Sequence, residues 1–153
     1  VLNPNYIVGF VDGEGCFCVS LNRKNQQIPE VRLIFEIELR EDDLDILKSI
    51  QLALRCGNIY YLKYDRYAKW RPHVKYKVSN FTDISQKIIP FFRKYPLQAK
   101  KRLSFEKFCK VAEIIETKEH LTAGGIERIN NILHGDSLDA LDAHVQWGAT
   151  EIT

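Results

Sequence analysis

Two hairpin patterns in this chain alternate apolar and polar residues with a period of two, and each hairpin follows a stretch whose apolar residues recur at helical spacing. The first helical stretch opens at Asn3-Pro4, an N-cap and first-turn pair, and runs through Tyr6-Ile7-Val8-Gly9-Phe10-Val11 to Asp12-Gly13-Glu14-Gly15. Either glycine there is expected to take the left-handed conformation that closes a helix. The period then changes to two over residues 16–24, and again over Val31–Leu39, with Leu33, Phe35, Ile37 and Leu39 on one face. Asn25, Gln26, Gln27 and Pro29 mark the turn of this hairpin. Glu41, Asp42 and Asp43 head a second helix with Leu44, Leu47, Ile50 and Leu54 as its stripe, closed at Cys56-Gly57-Asn58. A second hairpin pairs Ile59–Tyr64 with His73–Val78, where Val74, Tyr76 and Val78 face one way and His73, Lys75 and Lys77 the other. Helical patterns return at about 81–93, 97–117 and 122–134. This order predicts an α+β domain over 1–134. Four strands form one antiparallel sheet, helices cover a single face, and the opposite, basic face stays open. Residues 135–153 lose both periodicity and basic character and read as a peripheral tail.

With 153 residues the chain is long enough to bury a core without staples. No apolar run approaches the roughly 20 residues of a membrane span, so no membrane association is expected. The four cysteines, at 16, 18, 56 and 109, lack zinc-ligand spacing and read as thiols of a reducing, intracellular compartment; no secretory leader is visible. The net charge of +2 conceals strong segregation. Residues 46–112 carry 16 Lys/Arg against three acids, while both flanks are acidic. A basic middle of this kind points to a polyanionic partner met by one surface.

A helix C-terminus carries about half a negative charge, so Asp12 and Glu14 sit where carboxylates cost stability unless something compensates. One reading is two exposed acids in a tight turn. The other is a site for a hard divalent ion such as Mg²⁺, which prefers carboxylate, carbonyl and water oxygens. Gly9 and Gly13, four apart, lie on one helix face and permit close approach of another backbone. A turn or buried glycine accounts for either one alone. Flanked by Ile7, Val8, Phe10 and Val11, the helix is apolar nearly all round, as expected of one lying between layers or between subunits.

The run Ile7-Val8-Gly9-Phe10-Val11-Asp12-Gly13-Glu14-Gly15, followed by Cys16-Phe17, resembles the signature of the LAGLIDADG homing endonucleases. The resemblance continues through Phe35-Glu36-Ile37, Asp42 to Leu47, Cys56-Gly57-Asn58-Ile59, Val78-Ser79-Asn80-Phe81 and Lys94-Tyr95-Pro96-Leu97 ahead of Lys100-Lys101. It implies a sheet saddle lying in the major groove of a long, pseudo-palindromic DNA target. It also implies intron-encoded, site-specific double-strand cleavage by metal-assisted phosphodiester hydrolysis. A single motif implies a homodimer through the motif helix, with Tyr6, Ile7, Gly9, Phe10 and Gly13 at the interface. By the same resemblance Glu14 is catalytic and binds metal, the Gly13 carbonyl adds a ligand, and Asp12 serves the helix end. Lys101, or second Lys100, supplies a basic catalytic group, against the alternative of a solvated helix start. Mg²⁺ or Mn²⁺ is the implied cofactor, with Ca²⁺ binding without supporting cleavage. Leu39 stands where some members carry a glutamine, so a water-ordering role is not carried onto it. An RNA-binding maturase or a non-cleaving DNA-binding regulator of the same fold is the alternative, from which an intact Glu14 separates the nuclease.

DNA reading then falls to the open face. Parity places there Cys18, Ser20, Asn22 and Lys24 on the first strand, Glu30, Arg32, Glu36 and Glu38 on the second, and His73, Lys75 and Lys77 on the last. Arg66, Lys69 and Arg71 in the second hairpin loop are expected to grip backbone. Arginine and lysine suit guanine edges and phosphates, and glutamate suits cytosine amino groups. Salt bridges to neighbouring Arg or Lys are an equal alternative for the glutamates.

Overall fold

The structure is a computed structural model that describes residues 1–23, 27–63 and 71–135. Its elements are α1 (Pro4–Glu14), β1 (Gly15–Asn22), β2 (Glu30–Arg40), α2 (Leu44–Leu54), β3 (Asn58–Leu62), β4 (His73–Val78), α3 (Phe81–Asp83), α4 (Ile89–Lys94), α5 (Lys101–Glu116) and α6 (Ala123–His134). The expected α+β order is present, and the four strands form one antiparallel sheet in the order β1-β2-β4-β3. Each hairpin therefore contributes its second strand to the centre and its first to an edge. The expected tail lies, from residue 136 on, outside the described residues, as do Lys24 and residues 64–70.

Contacts divide the chain into two compact units, Val1–Cys16 with Ile34–Lys101, and Phe17–Leu33 with Arg102–Thr153. In the first, parity works as the alternation predicts. Phe35, Ile37, Leu39, Val74, Tyr76 and Val78 are buried, whereas Glu36, Glu38, His73, Lys75 and Lys77 stay partly exposed. β2 and β4 are antiparallel with Glu36 opposite Lys77, Glu38 opposite Lys75 and Arg40 opposite His73. Phe35 packs edge-on to Tyr76 at 6.2 Å between centroids and against Phe92 of α4 at 5.5 Å. The helical run that holds Phe92 contains a π-turn, Ile84–Ile88, just ahead of Pro90. A proline lacks the N–H an unbroken α-helix requires, and the widened turn absorbs that loss. In the second unit, Phe17 of β1 packs against Phe105 and Phe108 of α5, at 5.1 and 5.4 Å. Ile126, Ile129 and Leu133 of α6 are buried there as well.

Two turns position the site. No glycine closes α1 in the left-handed region, contrary to expectation. Gly15 is extended at φ −82°, and the chain passes from helix to strand in one residue. Glycine is needed here for space: a Cβ would lie 2.6 Å from Val11 Cγ1 and 3.0 Å from the Val11 carbonyl. Between α2 and β3 the left-handed residues are Arg55 (φ 58°) and Gly57 (φ 85°). Tyr76 reaches under this turn and donates to the Cys56 carbonyl at 2.8 Å. Burial is the main reason the Tyr76 hydroxyl is held far above its usual range, and burial likewise pushes the Cys56 thiol up. A Cβ on Gly57 would meet the Tyr76 ring at 2.6 Å. Gly57→Ala therefore combines positive-φ strain with overpacking, and it is expected to lower stability by about 3 kcal/mol, read as a shift in the urea midpoint.

Candidate active site and nucleic-acid interface

α1 presents two opposite faces. Its N-terminus is capped by Asn3, whose side chain accepts from the Asn5 N–H at 2.8 Å. Ile7, Val8 and Val11 are buried in this chain's own core, with Ile7 only 1% exposed. Ile7 is thus corrected as an interface residue, because its side chain is already spent on the core. Tyr6, Gly9 and Gly13 are exposed, and nothing lies within 4 Å of a Cβ built on either glycine. Phe10, half-buried, stacks on Tyr6 at 6.2 Å and borders this shallow, apolar strip.

At the C-terminal end of α1 the two acids part company. The Asp12 carboxylate accepts from two backbone N–H groups ahead of α5, Gln98 at 2.9 Å and Ala99 at 3.2 Å. Those donors offset its charge beside the helix carbonyls, so Asp12 ties α1 to the segment that delivers Lys101. The Lys101 ammonium donates to the Gly15 carbonyl, next in sequence to Glu14. Lys100 is exposed and does not share that contact. Glu14 is exposed and makes no hydrogen bond or ion pair among the described residues. The structure therefore brings Glu14 and Lys101 to the same helix end, with Asp12 as the fastening between their elements.

The Glu14 carboxylate and the last carbonyls of α1, Gly13 included, are hard oxygen donors at this end. That chemistry fits Mg²⁺ or Mn²⁺ rather than a thiolate-seeking metal. Among the described residues no group of three or more His, Cys, Asp or Glu lies together. An ion held by Glu14 there would complete its shell with phosphate or water oxygens.

The sheet residues are placed unit by unit. In the first, Glu36, Glu38, His73, Lys75 and Lys77 share the outward face as expected, and the acids are paired. Lys75 Nζ lies 3.5 Å from Glu36 and 3.6 Å from Glu38, and His73 Nδ1 lies 3.1 Å from Glu38. The register adds three residues that the sequence reading missed. Arg40 stands opposite His73, Tyr60 opposite Lys75 and Asn58 opposite Lys77. Arg40 continues the parity of Glu36 and Glu38 and was legible. Asn58 and Tyr60 were not, because the two strands of the second hairpin stand too far apart in sequence for a tight turn to fix their register. Arg71 is exposed. In the second unit, Ser20 and Asn22 are partly exposed, while Glu30 and Arg32 are exposed and pair with each other at 3.1 Å. Cys18 is corrected: it is 4% exposed, so its thiol is not offered to a base edge. Lys24, Arg66 and Lys69 lie outside the described residues.

Comparison with known proteins gives this geometry a context. Residues 7–112 match the LAGLIDADG endonuclease family. A Neurospora crassa protein named "Probable intron-encoded endonuclease 3" is 32% identical over 133 residues, 86% of this chain and 24% of that protein. Among solved structures, the homing endonuclease I-SmaMI bound to cleaved DNA superposes with a TM-score of 0.78 at 33% identity, covering 90% of this chain and 44% of that one. I-SmaMI has also been seen on uncleaved target with calcium ions present. The I-LtrWI homing endonuclease bound to target DNA gives a TM-score of 0.79 at 29% identity, over 90% and 45% of the two chains. This chain spans about a quarter of the length of its first curated relative and under half of these solved chains. A family match running from the middle of α1 well into α5 takes in Glu14, Lys101 and the whole sheet, and on that ground the chain belongs to the LAGLIDADG endonucleases.

Proposed function

We propose that this chain is the DNA-binding and cleaving unit of a site-specific, intron-encoded double-strand endonuclease that uses Mg²⁺ or Mn²⁺. The observation that carries the reading is Glu14. It is an acid left without a partner among the described residues, at the negative end of a helix, beside Lys101. A maturase or a DNA-binding regulator needs no unpaired carboxylate facing phosphates, and that feature favours the nuclease. Glu14 and the Gly13 carbonyl would hold the ion, which when bound activates water and neutralises charge on the phosphate. The ammonium of Lys101 has three N–H donors, so its bond to Gly15 leaves two for a phosphate oxygen or the attacking water. The outward sheet residues orient the duplex, Arg and Lys by guanine edges and phosphates, Glu by amino groups. Cys16, Cys18, Cys56 and Cys109 form no disulfide, which supports a reducing compartment.

Cutting two strands takes two such ends. We assign the exposed strip of Tyr6, Gly9, Phe10 and Gly13 to a second copy of the chain, packed helix to helix. The short coverage of the solved relatives favours a second reading, in which a like half within a longer chain takes that place. Sedimentation equilibrium separates the two. A homodimer gives twice 17.8 kDa, and a chain that stays at 17.8 kDa favours the second reading.

Function is tested with plasmids bearing candidate intron-insertion sites. Linearisation is expected with Mg²⁺ and none with EDTA. If each copy neutralises about five phosphates, the logarithm of the binding constant should fall with log salt at a slope near −9 for a dimer. A slope near zero would refute a phosphate-tracking interface.

A further inference from the structure

The outward face of β2 and β4 holds cations in two different states. Lys77 makes no ion pair among the described residues. Lys75, at the centre of the same face, stands between two carboxylates, Glu36 at 3.5 Å and Glu38 at 3.6 Å. Glu38 is fixed from its other oxygen by His73 at 3.1 Å. These four side chains are 16 to 34% exposed, so the cluster is more shielded from water and salt than a loose surface pair. The register explains why it forms. Glu38 is directly opposite Lys75, and Glu36 is its diagonal neighbour on the same strand face.

We propose that this cluster is a discrimination device, in which Glu36 and Glu38 withhold Lys75 from phosphate until the correct base edges arrive. The inference rests on the reading that this face binds DNA. A duplex of arbitrary sequence offers phosphate to Lys75, which must leave two carboxylates to meet it, and those carboxylates repel the same phosphate. A base edge carrying an amino group, cytosine N4 or adenine N6, can replace the ammonium on a glutamate. Lys75 is then released to an adjacent guanine edge or phosphate. Nonspecific affinity is lowered while the correct site retains all its contacts, which raises the ratio between the two.

The test compares wild type, Glu36→Gln/Glu38→Gln, and the same pair combined with Lys75→Gln, on a random-sequence duplex across a salt series. Melting curves confirm that each protein is folded. Freeing Lys75 is expected to tighten nonspecific binding about tenfold at low salt and to steepen the slope of log K against log salt by about 0.9. Adding Lys75→Gln is expected to return the slope to the wild-type value. The proposal is overturned if the double variant binds no more tightly, or if the steeper slope survives Lys75→Gln, since the acids then act without latching the lysine. Wild-type protein that shows no salt-dependent duplex binding at all would instead remove the DNA-binding reading beneath it.

Discussion

Glu14→Gln is expected to slow strand cleavage by about three orders of magnitude, roughly 4 kcal/mol of barrier, while the protein still binds its target in EDTA. The substitution keeps the shape of the side chain and removes only its charge. Glu14 makes no hydrogen bond or ion pair among the described residues and contributes nothing to the core, so neither fold nor melting temperature should change. What is lost is the anionic oxygen that would hold a hard cation at the end of α1, where the helix carbonyls already favour positive charge. Single-turnover cleavage with Mg²⁺, beside a gel shift without metal, separates the two effects. Cleavage within tenfold of wild type would remove Glu14 from the chemistry.

Asp12→Ala should produce a different pattern, about 10² in cleavage rate together with about 1–3 kcal/mol of stability. Its carboxylate is the acceptor for the Gln98 and Ala99 N–H groups, and without it the segment ahead of α5 loses its tie to α1. Lys101 begins α5 only two residues further on and reaches the Gly15 carbonyl from there. Asp12 is thus expected to act as a positioning residue, through Lys101. A double-mutant cycle tests this directly: Asp12→Ala added to Lys101→Ala should cost little further activity, although the stability loss persists. Asp12→Asn, which retains one acceptor oxygen, should recover part of both. Full additivity in the cleavage rate would mean that Asp12 contributes independently of the lysine.

The two acids of the motif illustrate how far local pattern carries. Their place at a helix end follows from Pro4, the apolar run and the change of period, all visible within about twenty residues. Their division of labour does not, because Asp12 is satisfied by backbone groups 86 and 87 residues away. Resemblance alone ranks Lys101 ahead of Lys100, and it is the fold that brings the Lys101 ammonium to the Gly15 carbonyl. Cys18 and Ile7 show the converse. Parity and an all-round apolar helix marked them as outward or shared, and packing within the chain took both inside.

By itself the sequence determined the order of helices and hairpins, the buried side of β2 and β4, and the motif that places this chain in its family. These are properties of periodicity, which neighbouring residues impose on one another through backbone geometry. Tertiary structure alone decided that Lys101 reaches the Gly15 carbonyl, what Asp12 holds, and that Lys75 is clasped by Glu36 and Glu38. Each of these depends on the register between distant segments, and register is settled by the packing of the whole core rather than by any stretch of chain short enough to read on its own.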